Sequence, residues 1–391
     1  MPDKNYVPYH LHTYYSLLDS CSSPEEYVER AKLDGVSALS FSEHGKPLNW
    51  VAKKIACDKA GIKYIHSVEI YMTESLAEKV RDNYHTVLVA RNEDGVRELN
   101  SIITLSSQED HFYYTNRISF DEFLRLSPNI VTTSACLASP LARLPEDHPY
   151  YERLVKRYDF LEVQAHDCDD QKEFNRRLLA IAEKYNKPLI AGTDTHSVSE
   201  YKAECRDILL EAKHKKYSDD DFDLSWKTRK ELEDMFRRQG VLPEEVFQQA
   251  IDNTNVMADM VAPFDLDESF KYPLLYGSAE ADAEAFKETV ERKFSEKVSS
   301  GIIPPEQVPA FRKAIDEEMA VFEKLHMNGF MLSMSEILTW CREQGFALGP
   351  ARGSVGGSRV AYIADIIDMN PETWGTNFYR FANPDRVEVG D

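Results

Sequence analysis

The sequence predicts an α/β fold whose parallel sheet closes into a barrel, and three observations lead to this prediction. Short apolar or β-branched runs alternate with helical patterns over the first 196 residues. Such alternation favours a parallel sheet, and about seven strand–helix units are enough to close a barrel. Side chains that bind metals recur at the ends of the strand-like runs, which is where barrels of this class build their sites.

The elements of the predicted barrel follow from local patterns. Strands are expected at Tyr6–Leu11, Ala38–Phe41, Lys63–Tyr71, Thr86–Ala90, Ile130–Thr133, Phe160–Gln164 and Pro188–Ala191. Helices are expected at Pro24–Leu33, Leu48–Ala60, Glu93–Leu105 and Glu173–Tyr185. Ser23 caps the first helix, with Pro24 at its first helical position, and Asn186 to Pro188 end the last one.

The rest of the chain is predicted to be mainly helical. Residues 197 to about 270 are polar, and the acidic run 219–221 is expected to form a solvated loop because like charges repel. Further helices are predicted at Ala279–Ser299, Pro309–Leu325 and Ser333–Glu343. These patterns divide the chain into a first domain at 1–263 with a barrel core at 1–197, a linker at 264–278, and a second domain at 279–391.

Composition limits the cellular setting. With 391 residues, of which 42% are hydrophobic, the chain is long enough for two or more domains. No apolar run reaches the length of a membrane-spanning helix, and the first residues lack an apolar signal core. Six cysteines occur without CxxC pairs, which argues against a disulfide framework or a zinc ribbon. We expect a cytoplasmic protein without membrane contact.

The formal net charge of −21 restricts how the chain can contact nucleic acid. Affinity for duplex DNA depends largely on lysine and arginine side chains that neutralise phosphates. Contacts with nucleic acid are therefore expected from local patches, or from parts of a larger protein outside this chain.

Nine residues have the chemistry of a site for two or three divalent metal ions. They are His10, His12, Asp19, His44, Glu69, His85, Cys136, Asp194 and His196. Histidines two residues apart on a strand point to the same face, and the pair at 194 and 196 repeats that spacing. Two such pairs facing each other would hold metals about 3.5–4 Å apart, the spacing used for phosphoester hydrolysis.

Each of these residues also has an ordinary structural interpretation. A single histidine at a strand end more often pairs with a nearby carbonyl, and a lone cysteine such as Cys136 is usually an inert buried thiol. The joint occurrence of nine such residues favours the metal site. His85 precedes its strand, so either the strand boundary is misplaced or the barrel is distorted there.

A second motif lies near the end of the sequence, where Gly349-Pro350-Ala351-Arg352-Gly353-Ser354 forms a glycine-bracketed segment. Small residues let backbone amides approach a triphosphate, arginine donates charge-assisted hydrogen bonds, and a helix beginning near Ser358 would add its N-terminal dipole. Glycine-rich turns are common, so the pattern alone leaves phosphate binding and an ordinary turn equally open.

The metal-type residues stand in motifs that resemble those of the PHP (polymerase and histidinol phosphatase) superfamily. The matching segments are Tyr9-His10-Leu11-His12-Thr13 with Asp19, Ser42-Glu43-His44-Gly45, Ser67-Val68-Glu69, His85, Ser134-Ala135-Cys136 and Thr193-Asp194-Thr195-His196. The resemblance implies a distorted (β/α)7 barrel, nine metal ligands at the nine residues above, and a hydrolytic site. Glu43 replaces the aspartate that is usual at that position.

The second motif resembles the Gly-Pro-Gly-Arg-Gly-Ser motif of the bacterial and phage DNA polymerase III alpha family. The similarity continues through Val360-Ala361-Tyr362, Asp368, Pro371 and the run from Arg380 to Val387. It implies that this domain is part of an α+β palm, in which Arg352, Gly353, Ser354 and Arg380 hold the phosphates of the incoming nucleotide. Asp391 then aligns with the first catalytic palm carboxylate for Mg²⁺, and the other carboxylates lie outside the sequence.

These resemblances lead to one hypothesis and two alternatives. The chain is expected to be the N-terminal part of a replicative polymerase, incomplete for polymerisation, whose barrel binds Zn²⁺ or Mn²⁺ and acts as a 3′→5′ proofreading exonuclease. Its expected partners are the 3′ end of primer–template DNA, deoxynucleoside triphosphates, and the remaining palm and fingers as a second chain or a missing region. Alternatively the barrel binds metal only to stabilise itself and brace the palm, or the chain is a free-standing small-molecule phosphatase.

Overall fold

A computed structural model describes residues 5–81, 83–213, 222–268 and 273–385 of the chain. It divides into two compact units, Met1–Leu266 and Asp267–Asp391. The first unit mixes helices with strands, which confirms the α/β prediction. None of the described helices has the length and apolar character that crossing a bilayer requires.

Short strands form the centre of the first unit. They are β1 (Ala38–Ser40), β2 (Lys63–Ile65), β3 (Ser67–Thr73), β4 (Tyr84–Ala90), β5 (Arg117–Ser119), β6 (Ile130–Thr133), β7 (Leu161–Val163) and β8 (Leu189–Ala191). The single strand predicted at 63–71 is two strands interrupted at His66, and β5 was not predicted.

Residues 6–12 were predicted as the first strand, but they form an extended segment without a regular ladder. The segment nevertheless occupies a strand position. On one side the Ser42 N–H donates to the Leu11 carbonyl at 2.8 Å, and on the other the His12 N–H donates to the Thr195 carbonyl at 2.7 Å. It therefore links the end of β1 to the residues that follow β8.

The direction of β4 explains the unusual place of His85. β1 pairs with β2, β3 with β5, and β7 with β8 in parallel, whereas β4 runs antiparallel to both β3 and β6. The first residues of β4 consequently lie at the edge where β3 ends, and His85 stands opposite Tyr71 in the register. The strand begins at Tyr84 and contains His85, so the predicted boundary at Thr86 was two residues late, and the sheet is also distorted by a reversed strand.

Helices surround these strands. They are α1 (Pro24–Leu33), α2 (Trp50–Ala60), α3 (Glu93–Ser106), α4 (Phe120–Leu124), α5 (Pro140–Arg143), α6 (Tyr151–Arg157), α7 (Asp169–Tyr185), α8 (Glu200–Ala212), α9 (Arg229–Gln239) and α10 (Glu244–Asp259). α1 has the predicted bounds, and the Ser23 hydroxyl accepts the Glu26 N–H in a capping box. The helices α4 to α6 were not predicted, because each is too short to show a helical period. The acidic run 219–221 lies outside the described residues.

The regular secondary structure in the described part of the second unit is helical. It contains α11 (Ala279–Ser299), α12 (Val308–Lys324), α13 (Asn328–Glu343), α14 (Arg359–Ile363) and α15 (Pro371–Trp374) around buried Phe286, Phe311 and Phe322. α11 has the predicted bounds, and α13 begins one turn and a half earlier than predicted. Residues 273–385 contain no strand, so the β part of the expected α+β palm is not found in that range.

A buried histidine between β2 and β3 makes stability depend on pH. His66 is fully buried, with its ring nitrogens 3.1 Å from the Tyr64 hydroxyl and from Asn100 Oδ1. Burial lowers the pKa of His66 from 6.5 to about 4. Between these values the unfolded chain binds one proton more than the folded chain, so the free energy of unfolding decreases by about 1.4 kcal/mol for each unit that the pH falls.

We expect the substitution His66→Gln to remove this one-proton dependence. Urea unfolding of both proteins between about pH 4.5 and 6.5 measures it as a difference in slope. Equal slopes for the two proteins would contradict the assignment. Above pH 7 the imidazole is neutral in both the folded and the unfolded state. The difference in the free energy of unfolding between the two proteins there gives the loss that is due to packing alone.

Candidate metal centre

The structure brings the nine predicted ligands together at one edge of the first unit. His10 and His12 come from the extended segment, Asp19 from the loop after it, and His44 from the residues that follow β1. The other five are Glu69 in β3, His85 in β4, Cys136 after β6, and Asp194 and His196 after β8. Because β4 is reversed, all of these positions meet at the same edge.

Three overlapping groups within this cluster have the spacing of metal ligands. They are His12, His44 and His196; His10, His12 and Glu69; and Glu69, His85 and Cys136. Within each group the ligand atoms lie within 4.8 Å of one another. Since His12 and Glu69 are each shared by two groups, the arrangement suits up to three neighbouring ions.

The remaining two predicted ligands contact these groups. Asp194 Oδ1 lies 3.2 Å from His10 Nε2 and 3.3 Å from His12 Nε2. Asp19 Oδ2 lies 2.9 Å from His44 Nε2 and 3.3 Å from His196 Nε2. Each carboxylate oxygen therefore lies close enough to two histidines to bind a cation together with them.

Within the described residues, four buried atoms of the cluster contact other candidate ligand atoms but make no well-formed hydrogen bond, and this arrangement fits a metal. They are His10 Nε2, His12 Nε2, His196 Nε2 and Asp194 Oδ1. Folded proteins rarely leave such atoms unsatisfied. All four are good ligand atoms for borderline divalent ions such as Zn²⁺ and Mn²⁺, and the cysteine of the third group extends the set toward softer metals.

Two of these histidines contact a hydrogen-bond acceptor through Nδ1, the ring nitrogen that faces away from the cluster. His10 Nδ1 lies 2.8 Å from Glu162 Oε1, and His196 Nδ1 lies 2.8 Å from the Asp194 carbonyl. A proton on Nδ1 satisfies these acceptors and leaves the Nε2 lone pair directed at the centre, which is the usual arrangement behind metal-binding histidines. Sequence reasoning missed Glu162, although a carboxylate inside the apolar run 160–163 was a visible signal.

Asp19 is oriented by a residue that sequence reasoning also missed. Arg206 in α8 donates to Asp19 Oδ1 from Nη2 at 2.5 Å and from Nε at 3.1 Å, and Nε also donates to the Asp19 carbonyl at 2.8 Å. The guanidinium occupies one carboxylate oxygen and leaves Oδ2 facing the histidines. No local sequence signal connects positions separated by 187 residues.

The electrostatics of the cluster suit cation binding. Burial, together with the nearby His44 and His196, lowers the pKa of His12 to about 3, so its imidazole is neutral as a ligand must be. Although burial opposes it, the neighbouring His196 and His44 hold the pKa of Asp19 far below its usual range. Burial and the carboxylates of Asp194 and Glu69 raise the pKa of Cys136, so its thiolate requires a cation beside it.

The tight fit of Glu162 against Gly192 gives a testable consequence. A Cβ at Gly192 would lie 2.1 Å from Glu162 Oε1, and the Glu162 side chain is fixed by the Tyr9 hydroxyl and by Gln164. We expect Gly192→Ala to displace the carboxylate from His10 and to weaken metal binding by about 10- to 100-fold. Metal titration followed by calorimetry measures the change.

The double variant Gly192→Ala/Glu162→Ala distinguishes the steric clash at position 192 from the loss of the Glu162 carboxylate that orients His10. It removes the clash, so its melting temperature should exceed that of Gly192→Ala alone, whereas its metal affinity should stay low because His10 has lost its acceptor. Full recovery of affinity in the double variant would show that Glu162 does not orient His10.

The predicted phosphate-binding residues lie on two adjoining turns of the second unit. Residues 353–357 form a short 3-10 turn, and a Cβ at Gly357 would lie 2.3 Å from the carbonyl of Asn377, which precedes the turn containing Arg380. Arg352 and Arg380 are exposed, and within residues 273–385 their side chains make no ion pair. Asp391 lies outside the described residues.

The helix that begins after Ser358 does not offer its N-terminus to a phosphate, contrary to the sequence-based expectation. The buried Glu318 carboxylate already accepts the Ser358 hydroxyl at 2.7 Å and the N–H groups of Arg359 and Val360 at 3.0 and 3.1 Å. A second anion at this helix end would be repelled.

Comparisons with known proteins find two family matches and several similar proteins. Residues 8–164 match the PHP domain family, and residues 284–391 match the bacterial DNA polymerase III alpha NTPase domain. DNA polymerase III subunit alpha of Aquifex aeolicus is 28% identical over 419 residues, covering 99% of this chain and 36% of that protein. The same subunit of Treponema pallidum is 28% identical over 411 residues, covering 100% of this chain and 34% of that protein.

The first unit is thus built on a PHP domain. The chain is similar over its whole length to DNA polymerase III subunit alpha and spans about a third of the length of these relatives. Among solved structures, a candidate metal-dependent phosphoesterase from Bifidobacterium adolescentis is 16% identical, covers 50% of this chain and 90% of that chain, and has a TM-score of 0.37. A likeness this low adds nothing to the assignment.

Proposed function

We propose that the first unit is a divalent-metal-dependent phosphoesterase that removes nucleotides from the 3′ end of DNA, as a proofreading exonuclease within a replicative polymerase. The observation that carries this proposal is the cluster of three overlapping ligand groups, in which four buried ligand atoms make no hydrogen bond within the described residues. Zn²⁺ and Mn²⁺ suit its donors. When bound, such ions would activate water for attack on phosphorus and offset the charge of the transition state.

The cluster is open on one side, as a catalytic centre requires. The side chains of His44 and His85 are each 21% exposed, whereas those of His10 and His12 are fully buried. A purely structural metal site is usually closed on all sides. The exposed edge offers a phosphodiester a route to the ligand atoms.

The loop between His12 and Asp19 supports a nucleic-acid substrate. It presents Tyr14 at 40%, Leu17 at 75% and Leu18 at 38% exposure, directly between two of the predicted ligands. Aromatic and apolar side chains are surfaces on which unpaired bases stack without sequence preference. An unpaired 3′ end laid on this loop would bring its terminal phosphodiester to the cluster.

For the second unit we propose binding of the triphosphate of an incoming nucleotide by Arg352, Gly353, Ser354 and Arg380. The support is the pair of exposed arginines on adjoining turns, which make no ion pair within residues 273–385, and the family match over 284–391. Polymerisation with Mg²⁺ would need further palm carboxylates beside Asp391, from a second chain or a further region.

The test is incubation of the purified chain with a 3′-mismatched, end-labelled primer–template in the presence of Mn²⁺, Zn²⁺ or a chelator. We expect metal-dependent shortening from the 3′ end, with no shortening by an Asp194→Asn variant purified in the same way. Bound metal without shortening of this substrate would overturn the exonuclease proposal and favour a barrel that binds metal for stability. Turnover of small phosphomonoesters alone would favour a free-standing phosphatase.

A further inference from the structure

A buried chain of hydrogen bonds stands behind His12, the ligand shared by two of the three groups. His12 Nδ1 lies 2.9 Å from the Ser16 hydroxyl, and Ser16 Oγ lies 2.6 Å from Glu43 Oε2. Glu43 Oε1 in turn accepts from Lys53 Nζ at 2.6 Å. All four side chains are at most 1% exposed.

The donors and acceptors in this chain leave a single arrangement. Glu43 also accepts the Thr13 N–H at 3.1 Å and is paired with Lys53, so it acts as an ionised carboxylate that can only accept. The one hydroxyl proton of Ser16 must therefore go to Glu43. Ser16 Oγ also accepts the backbone N–H of His44 at 3.2 Å.

The third partner of Ser16 must then be a donor. His12 Nδ1 has to carry the ring proton, and the Nε2 lone pair is left directed at the cluster, where Nε2 has no hydrogen bond. We infer that Glu43, acting through Ser16 and held by Lys53, is a positioning residue that selects the metal-binding tautomer of His12. The inference rests on the metal-dependent function proposed above, but its test measures metal binding and not hydrolysis.

The inference predicts an effect confined to two of the three groups. The group of Glu69, His85 and Cys136 does not contain His12, so it serves as an internal reference. Cobalt(II) bound there gives a thiolate charge-transfer absorption, whereas the ligand-field absorption reports all positions together. The two signals can be titrated in one experiment on the full chain.

We expect Ser16→Ala to weaken cobalt binding at the His12-containing positions by about 10- to 100-fold, while the charge-transfer midpoint stays unchanged. Glu43→Gln should show the same selective loss, because an amide can donate to Ser16 and free the serine proton for His12. The matched control is Ser42→Ala, which removes a buried hydroxyl that contacts only the Leu11 backbone in the described structure.

Other outcomes would overturn the inference. Equal weakening of both signals, or equal effects of Ser16→Ala and Ser42→Ala, would mean that the hydroxyl only supports packing. Unchanged cobalt binding in both Ser16→Ala and Glu43→Gln would mean that His12 needs no such support. If cobalt binding is weakened selectively but the unmodified chain does not shorten DNA, the role of Glu43 and Ser16 in positioning His12 is supported. Only the proposed exonuclease function is then rejected.

Discussion

Replacing Asp194 by asparagine is expected to reduce metal-dependent shortening of DNA ends at least about a thousandfold, which corresponds to about 4 kcal/mol of transition-state stabilisation. Asp194 Oδ1 faces both His10 Nε2 and His12 Nε2, so removing its charge weakens two of the three groups at once. His12→Ala should have an equal or larger effect, since it deletes the shared imidazole. Single-turnover rates on an end-labelled primer measure the loss.

The choice of asparagine matters because Asp194 has φ of 45°. Asparagine tolerates this left-handed conformation, whereas alanine would add backbone strain to the loss of the ligand. Asp252→Asn in α10 is the matched control, since Asp252 is exposed and pairs only with Arg229 in the described structure. Undiminished shortening of DNA ends by a correctly folded Asp194→Asn variant would contradict the assignment.

Removing the metal is expected to lower the melting temperature of the first unit by about 10 °C for each position emptied. A ligand at about 1,000 times its dissociation constant stabilises the folded state by about 4 kcal/mol, and about 1 kcal/mol shifts the melting temperature of a domain of this size by about 2–4 °C. The physical reason is that buried carboxylates and unpartnered ring nitrogens are left without a cation. Calorimetry before and after dialysis against a chelator gives the shift.

The double-ligand variant His10→Ala/His12→Ala provides the control for this measurement. Its melting temperature should fall with chelator by no more than the amount expected for one position, because both groups that contain these residues are gone and only Glu69, His85 and Cys136 remain together. If the unmodified chain is shown by elemental analysis to lose its metal without a change in melting temperature, the cluster contributes nothing to stability.

Local signals in the sequence predicted much of this molecule. The cap at Ser23 and the proline after it set the start of α1, and the alternation of apolar runs located most strands to within a few residues. The spacing of His10 and His12 placed two ligands on one face. These features depend on residues that are close in sequence, so they can be read without knowledge of the tertiary structure.

Other features depend on contacts between distant residues and could not be predicted. The reversal of β4 is determined by its pairing with β3 and β6, not by its own pattern. Arg206 reaches Asp19 across 187 positions, and Glu318 reaches the start of α14 across about 40. Residues 6–12 have the composition of a strand, but their backbone hydrogen bonds reach neighbours on both sides without forming a ladder.

The reversed strand has a consequence for how two of the candidate ligands are held. β3 and β4 form a hairpin, and the connection between Thr73 and Tyr84 leaves the sheet at the edge that carries Glu69 and His85. Because the ladder between β3 and β4 holds Glu69 and His85 in register, we expect a change in the length of that connection to leave the spacing of these two side chains unaltered. The pairing of the two strands, and not the segment that joins them, thus sets the distance between these two candidate ligands.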